Sequence, residues 1–298
     1  MRPMPARPTL HLVDALPYVF RAWFSIPASV RAPDGRPINA VHGFAAFLLR
    51  LIAEERITHL AVAFDRSLTT SFRNDFYPAY KAQRELPDAE LEAQLGDCEE
   101  LARSLGAAVF ADERFEADDL IATLAARLGP RAGRVVVVSS DKDLSQLVDA
   151  RTELYDFARE TRYKPHDVRA KFGVDPRQIA DYLGLAGDAV DNIPGVRGVG
   201  AKTAAHLVGH FGDLDALYGR LGEVRTLTLR GAAALEARLA QGRELAFLSR
   251  QLATVSRDAP ARASWSELRL RGPDPERVAA LCARLGSERL RERLLARA

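Results

Sequence analysis

Three short apolar runs, each followed closely by an aspartate, are the feature that most constrains the fold of this chain. The runs are Leu10–Val13, Leu60–Phe64 and Val135–Val138, and the last is four consecutive valines. Unbroken runs of this kind are typical of parallel strands that are buried on both faces of a sheet. They therefore predict strands of a mostly parallel sheet.

Helical patterns fall between and after these runs, at Ala40–Glu55, Leu91–Leu105 and Ala117–Leu128. Strands that alternate with helices predict an α/β fold. From about Pro165 no valine-rich run recurs, and short helical patterns are broken by Gly, Pro and Asp turns. We expect an α/β core over residues 7–167, a small all-α domain over 168–262, and a helical tail over 263–298 that packs on the outside.

Composition excludes several classes of protein. The 298 residues carry a formal charge of only +2, so the chain lacks the overall basic field of a histone-like binder. Two distant cysteines, Cys98 and Cys282, predict neither a zinc site nor a disulfide framework. The sequence has no signal-peptide run and no segment of about 20 apolar residues. We expect a soluble cytoplasmic protein without a membrane partner.

Acidic side chains cluster where the predicted strands end and where the next helices begin. Asp14, Asp65 and Asp141 follow the three strand runs, and ligands of open α/β sheets bind beyond these strand ends. Two further groups, Glu116-Ala-Asp118-Asp119 and Asp141-Lys-Asp143, precede helical patterns. Helix capping is the simpler interpretation of either group alone. Capping needs one acid, however, and these groups contain three and two.

A further pair, Asp188 and Asp191, has the spacing that would place both on one face of a helical turn. The full predicted set of metal-binding acids is Asp14, Asp65, Glu116, Asp118, Asp119, Asp141, Asp143, Asp188 and Asp191. Two such charges ~4 Å apart repel by about 4 kcal/mol at an effective dielectric near 20, so convergence requires cations. Oxygen ligands without His or Cys predict two or more Mg²⁺ or Mn²⁺ ions, which suit phosphodiester hydrolysis.

A segment of alternating basic and aromatic residues follows the second strand. It contains Arg73, Tyr80, Lys81 and Arg84. Cations for phosphates and rings for bases are typical of single-strand binding, although a solvated helix face with a few buried rings is an alternative. We expect Arg73, Lys81 and Arg84 to stabilise charge at the scissile phosphate, and Tyr80 to contact DNA.

A glycine-rich stretch follows Asp191. Gly195, Arg197, Gly198, Gly200, Lys202 and Thr203 are its predicted DNA-binding residues. A P-loop would need Gly-Lys-Ser/Thr in sequence, and Ala201 separates Gly200 from Lys202, so we expect no nucleotide cofactor. A tight hairpin between two helices fits better, because its amides can hold a DNA phosphate without reading sequence.

These segments together resemble the 5′-nuclease superfamily, which includes the 5′–3′ exonuclease domain of bacterial DNA polymerase I and the flap endonucleases. The matching segments are Leu-Val-Asp14, Phe64-Asp65, Phe72-Arg73, Tyr80-Lys81, Glu116-Ala-Asp-Asp119, Asp141-Lys-Asp143 and Gly187-Asp188 to Lys202-Thr203. The resemblance implies an α/β core of PIN-like type, a helical arch over the site and a helix-hairpin-helix (helix–three-turn–helix) domain. It also implies divalent metals at the acids, K⁺ at the hairpin, and Lys81 and Arg84 on the arch.

By this resemblance we expect a 5′–3′ exonuclease and 5′-flap endonuclease acting on DNA with 5′ ends or flaps, in replication or repair. We expect it to be monomeric, free-standing because no polymerase region follows, and nucleoid-associated in use. Ala15-Leu16-Pro17 departs from the small polar residues usual after the first Asp, which puts local substrate contacts in question. Two alternatives stay open: a catalytically weak paralogue that binds branched DNA, and a related ribonuclease.

Overall fold

The computed structural model describes residues 7–66, 69–229 and 231–296. Its strands are β1 (Thr9–Asp14), β2 (His59–Asp65), β3 (Ala108–Asp112), β4 (Arg134–Val138), β5 (Thr152–Asp156) and β6 (Thr161–Tyr163). Its helices are α1 (Leu16–Ser25), α2 (Asn39–Glu55), α3 (Phe72–Phe76), α4 (Ala89–Ser104), α5 (Ala117–Leu128), α6 (Pro165–Phe172), α7 (Ile179–Ala186), α8 (Ala201–Phe211), α9 (Leu214–Gly219), α10 (Ala232–Gln241), α11 (Arg243–Ala253), α12 (Pro275–Leu285) and α13 (Glu288–Leu295). Within these residues no helix is both long and apolar enough to cross a bilayer.

One sheet of six strands organises the first half of the chain, in the order β3-β2-β1-β4-β5-β6. All neighbouring strands are parallel except the last pair, β5 and β6. The chain passes from β1 outward to β2 and β3, and then returns to place β4 on the other side of β1. The carboxyl ends of β2, β1 and β4 are therefore adjacent, at the switch point where open α/β sheets bind ligands.

The three predicted strands and the three predicted helices all form, each within two residues of its predicted ends. Strands β3, β5 and β6 are not predicted from sequence. They are three to five residues long, and polar residues such as Thr152 and Glu153 interrupt the apolar pattern of β5. Strands this short give little periodic signal.

Side chains alternate between the two faces of the sheet and build two apolar cores. Leu10, Leu12 and Val137 face a core shared with α5 and with the helices after residue 168. Val13 and Val138 face the other core, which α1, α2 and α4 cover. The C-terminal helices α12 and α13 form the outer layer there, packing on α4 and α2. Both late segments of the chain thus pack on the α/β core, on opposite faces of its sheet.

The expected helical arch is only partly helical. Between β2 and α4 the described residues form the five-residue helix α3, a series of turns and a stretch without regular secondary structure. The turns are held against the hairpin that follows α7: Lys81 N–H donates to Asp191 O at 3.1 Å, and Asn192 Nδ2 donates to Ala79 O at 2.6 Å. This segment, called the arch segment below (residues 71–88), is therefore fixed to the helical domain.

Candidate active site

The strand-end aspartates Asp14, Asp65 and Asp141 meet at the switch point as the sequence predicts. Asp14 ends β1 and accepts a 2.7 Å hydrogen bond from Ser139 Oγ, in the loop after β4. Asp141 N–H donates to the same Ser139 hydroxyl at 2.9 Å. Asp65, at the end of β2, accepts a 2.6 Å bond from the amide of Ala117 in the first turn of α5. The parallel register therefore brings the three acids to one edge.

Not every strand-end aspartate belongs to the site. β3 and β5 also end in aspartates, Asp112 and Asp156. The carboxylate of Asp112 accepts from the amides of Arg114 and Phe115, and that of Asp156 accepts from the amide of Arg159. These two acids stabilise local turns, which is the common role of such residues.

The pKa values show that the acids are close enough to repel one another. Burial, and then the charges of Asp65 and Asp141, raise the pKa of Asp14 to about 8. Burial and the charge of Glu116 raise the pKa of Asp65 to about 6. Burial and the charges of Asp141, Asp14 and Asp65 raise the pKa of Asp118 well above its ordinary value. These acids form one electrostatic cluster, in which Asp14 is buried and Asp65 and Asp118 are half-buried.

The cluster continues toward the helical domain. Burial raises the pKa of Asp143, and the charges of Asp141, Asp191 and Asp188 raise it further. Oδ1 of Asp143 is buried and accepts no hydrogen bond from the described residues. We call the set of eight acids the acidic cluster: Asp14, Asp65, Glu116, Asp118, Asp141, Asp143, Asp188 and Asp191.

Basic side chains lie between the members of the acidic cluster. Lys81 Nζ is 2.5 Å from Glu116 Oε2 and 3.7 Å from Asp191 Oδ2. Arg84 pairs with Asp191 at 2.5 Å, and Lys142 pairs with Asp188 at 2.5 Å. Burial alone would raise the pKa of Glu116, yet Lys81 and Arg73 hold it below its ordinary value. Among the described residues, no three His, Cys, Asp or Glu side chains are grouped to hold one metal ion, and several of the carboxylates are paired with basic side chains.

Asp119 is predicted to bind metal and Arg73 to contact a phosphate, and the structure contradicts both predictions. The guanidinium of Arg73 binds both carboxylate oxygens of Asp119, at 2.8 and 2.9 Å. Asp119 also accepts from the amides of Ser256 and Glu116, so both of its oxygens are engaged. Arg73 donates its remaining bonds to the carbonyls of Leu252 and Thr254. The donors and acceptors of both side chains are used within this buried ion pair and its neighbours, so neither side chain is free to bind a metal ion or DNA.

Tyr80 also differs from its predicted DNA contact. Its side chain is buried, and its hydroxyl points at Glu116 Oε2 (3.3 Å) and Asp191 Oδ2 (3.5 Å). The ring cannot stack on a base from this position. Tyr80 instead packs beneath Lys81, whose ammonium lies 5.0 Å from the ring centroid.

Asp188 and Asp191 are not on a helical turn. They lie in a reverse turn after α7, closed by hydrogen bonds between Asp188 and Ile193 in both directions. The turn nevertheless directs both carboxylates into the acidic cluster, one toward Lys142 and the other toward Lys81 and Arg84. The two carboxylates therefore lie with the other acids, as predicted, but they do so from a reverse turn and not from a helical turn.

The glycine-rich stretch forms the expected connection between helices α7 and α8. Gly195 has a φ of +61°, and a Cβ there would lie 2.4 Å from the Gly187 amide nitrogen, so only glycine fits. Gly195 is buried and its amide donates to Ser249 Oγ, so it supports the hairpin rather than meeting DNA. Arg197, Gly198, Gly200 and Lys202 are exposed, and Thr203 is half-buried. The amides of residues 201–203 open α8, where helix geometry leaves them without intrahelical acceptors.

A cavity of about 700 Å³ opens at one side of the acidic cluster. Its floor includes Asp65, Lys81 and Glu116, and α1 and the arch segment supply its walls. Two apolar side chains at its rim, Phe24 and Leu86, are 80% and 60% exposed. Sequence analysis misses these two residues and also Ser139 and Lys142. Only Lys142 carries a signal, because it stands between two predicted acids.

Comparisons with known proteins agree with this arrangement. Residues 9–173 match the family described as 5′-3′ exonuclease, N-terminal resolvase-like domain, and residues 174–276 match its C-terminal SAM fold. DNA polymerase I of Bacillus caldotenax is 38% identical over 96% of this chain, and that of Rhizobium leguminosarum is 42% identical over 84%. The chain spans 32% and 25% of the lengths of these polymerases.

Solved structures show the same fold at low identity. T5 5′-exonuclease with bound zinc ions is 21% identical, with a TM-score of 0.68 over 97% of both chains. The catalytic core of Rad2 in complex with DNA substrate is 14% identical, with a TM-score of 0.61 over 98% of this chain and 92% of that one. The predictions of fold class, of superfamily and of a nuclease are confirmed. This chain belongs to the 5′–3′ exonuclease family, and it is a nuclease of the hydrolase class.

Proposed function

We propose that this chain hydrolyses DNA as a divalent-metal-dependent 5′–3′ exonuclease and 5′-flap endonuclease, by a two-metal type of mechanism. The observation that carries the proposal is the acidic cluster, two of whose members, Asp65 and Glu116, line the cavity together with Lys81 and Arg84. An acidic site repels a phosphate backbone unless cations mediate, so this chemistry requires both metal ions and basic side chains.

The donor set fits hard divalent ions. The acidic cluster offers only carboxylate oxygens, which favour Mg²⁺ or Mn²⁺ over zinc. Its raised pKa values and the unpaired Oδ1 of Asp143 indicate a demand for positive charge beyond the nearby lysines. Asp14, Asp65, Glu116, Asp118, Asp141 and Asp143 would hold the ions, with Asp188 and Asp191 at the outer edge. When bound, such ions supply water activation and stabilise the leaving oxygen.

The chain's own residues bind and orient the substrate. Lys81 and Arg84 project from the arch segment to the cavity, where their charges can neutralise the scissile phosphate as it becomes more negative. At the rim, the exposed ring of Phe24 can stack on an unpaired base near a 5′ end, and Leu86 can pack beside it. The cavity thus combines a cationic wall with an apolar one, which suits single-stranded DNA.

The hairpin supplies a second point of attachment. Exposed Arg197 and Lys202, with the first amides of α8, can hold a duplex phosphate or a K⁺ ion that bridges to one. The Rad2 core, which shares this fold, is solved in complex with DNA substrate, which supports DNA as the ligand of this chain. A monomeric state, a cytoplasmic location and association with the nucleoid remain predictions.

The proposal is tested by cleavage of a 5′-flap duplex labelled at the 3′ end of the flap strand. Wild type with Mg²⁺ should cut near the junction, and Asp141→Asn should reduce the rate on the order of a thousandfold while still binding. Glu276→Gln, an exposed acid on α12, is the matched control and should cut like wild type. Binding without cleavage by wild type would instead favour the non-catalytic paralogue, and preference for an RNA flap would favour the ribonuclease.

Metal binding has a readout that does not depend on activity. Because ions that bind only the folded state stabilise it, millimolar Mg²⁺ or Mn²⁺ should raise the melting temperature. KCl at matched ionic strength is the control for screening. A melting temperature that divalent ions leave unchanged would contradict the metal site.

A further inference from the structure

One helix of the second domain connects the hairpin with two segments that carry acids of the cluster, at the start of α5 and after β4, through hydrogen bonds that involve buried side chains. The helix is α11, whose last turn and following residues run from Ser249 to Ser256. We propose that α11 is a positioning strut: it fixes the distance between hairpin and acidic cluster through Ser249 and Gln146, and thereby determines which phosphodiester is cut. The inference rests on the proposed function and adds a basis for cleavage-site selection.

The hairpin end of the strut is Ser249. Its side chain is completely buried, and its hydroxyl accepts a 2.9 Å hydrogen bond from the amide of Gly195. Gly195 is itself packed against the backbone of Gly187, at the start of the turn that bears Asp188 and Asp191. A buried amide without this acceptor would be unsatisfied, so the bond specifies where the hairpin sits on α11.

The acidic end of the strut is held by Gln146, in the short 3₁₀ helix Asp143–Leu147. Nε2 of Gln146 donates to Ala253 O at 3.0 Å and to Asp143 O at 2.9 Å, while Oε1 accepts from Val255 N–H at 3.1 Å. One planar amide thus joins the end of α11 to the backbone of a cluster acid. Donor and acceptor sides are both used, which fixes orientation as well as distance.

A second contact ties the same end of α11 to α5. Arg73 donates to Leu252 O and Thr254 O while it holds Asp119, three residues after Glu116. Ser256 N–H also donates to Asp119 Oδ1 at 2.6 Å. The segment on α5 and the segment after β4, which both carry acids of the cluster, are therefore both hydrogen-bonded, directly or through Arg73, to residues 252–256.

The geometry makes the strut short and stiff. Ser249 and Ala253 are four residues apart, which is about 6 Å along an α-helix. DNA phosphates follow one another at about 3.4 Å along the axis per strand. A displacement of the hairpin relative to the acidic cluster by about one such step would present the neighbouring phosphodiester for cleavage. The contacts at both ends of α11 oppose such a displacement, together with the ion pairs of Asp188 and Asp191.

The experiment compares wild type with Ser249→Ala, Gln146→Met and the double variant on the 3′-labelled flap substrate with Mg²⁺. Single-turnover products are resolved to one nucleotide. We expect cuts at the phosphodiesters flanking the main site to rise at least threefold as a share of product in each single variant, and further in the double variant. Gln251→Ala, an exposed residue of α11, is the control and should retain the wild-type pattern.

Two further measurements separate positioning from general destabilisation. Melting temperatures identify a variant that has lost its fold, in which case Ser249→Cys and Gln146→Leu are mapped instead. Glu276→Gln, at an exposed position on α12, shows what an unrelated change does to the product pattern. Folded variants whose cut distribution equals that of wild type would overturn the strut. Failure of the wild type to cut any flap would instead overturn the proposed function.

Discussion

Arg73 and Asp119 form a bidentate ion pair in which both side chains are almost completely buried, at 3% and 0% exposure. The pair joins the base of the arch segment to α5, and the carbonyls of Leu252 and Thr254 complete the shell of Arg73. A buried ion pair of this kind specifies how the two segments pack. When one partner is removed, the charge of the other is left buried without a counter-charge.

We therefore expect Arg73→Met to lower the free energy of unfolding by about 3–5 kcal/mol, measured by urea denaturation. Arg73→Lys should recover only part of this loss, because an ammonium cannot reproduce the two-pronged contact and the carbonyl bonds. The exposed pair of Arg114 and Asp75 provides the control, and Arg114→Ala should leave the urea midpoint nearly unchanged. Equal effects of Arg73→Met and Arg114→Ala would refute the assignment.

Lys81 should act on turnover more than on binding. It lies against Glu116 at the floor of the cavity, and its backbone has a left-handed φ of +53° that is held by Asp191. We expect Lys81→Met to reduce the single-turnover cleavage rate by about 10²–10³-fold, with a much smaller change in Kd for the flap. Lys171→Met, at an exposed site on α6, is the matched control. A loss confined to Kd would mean that Lys81 serves only to bind.

Phe24 should contribute affinity without contributing stability. Its ring is 80% exposed at the rim of the cavity, so little apolar contact is lost when it is removed. Stacking on a base is worth about 1–3 kcal/mol, which corresponds to a rise in Kd of roughly 5- to 150-fold for a 5′-flap on Phe24→Ala. Fluorescence anisotropy measures this, with Leu245→Ala as an exposed apolar control on α11. Unchanged affinity would remove Phe24 from the DNA surface.

His11 should make the protein less stable in acid. Burial lowers the pKa of this residue from 6.5 to about 4, against the attraction of Glu55, so the imidazole stays neutral in the fold. Below pH 6.5 the unfolded chain takes up a proton that the folded chain does not, and stability therefore falls as pH decreases toward 4. The pKa of Glu55 is also lowered, despite its partial burial, by Arg162 and His11, and its contribution has the same sign.

We expect His11→Gln to remove about 2–3 kcal/mol of the difference in unfolding free energy between pH 7 and pH 4. Urea denaturation at several pH values measures it. His206→Gln, an exposed histidine on α8, should keep the wild-type slope. An unchanged slope in His11→Gln would show that other groups cause the acid sensitivity.

Much of the fold follows from local pattern. The valine run of β4 and the apolar runs of β1 and β2 can lie only in a covered sheet, and the acids that follow them mark the edge where the strands end. The spacing of apolar residues predicts the helices α2, α4 and α5. β3, β5 and β6 could not be recognised in this way, because they are short and carry polar residues, and they form by pairing with β2, β4 and β5.

The sequence by itself determined which residue types are present for chemistry: strand-end acids, a basic and aromatic segment, and a glycine hairpin between helices. Only the tertiary structure decided which of these residues face the site and which are taken up by structural contacts. Arg73 and Tyr80 stand in the same segment as Lys81 and Arg84, yet only the latter two line the cavity. Asp119 stands beside Asp118, yet it is buried in an ion pair with Arg73 while Asp118 interacts with the other acids. The reason is physical: a carboxylate or a guanidinium has the same donors or acceptors everywhere, and the partners that the fold places within about 3 Å decide whether they are already used.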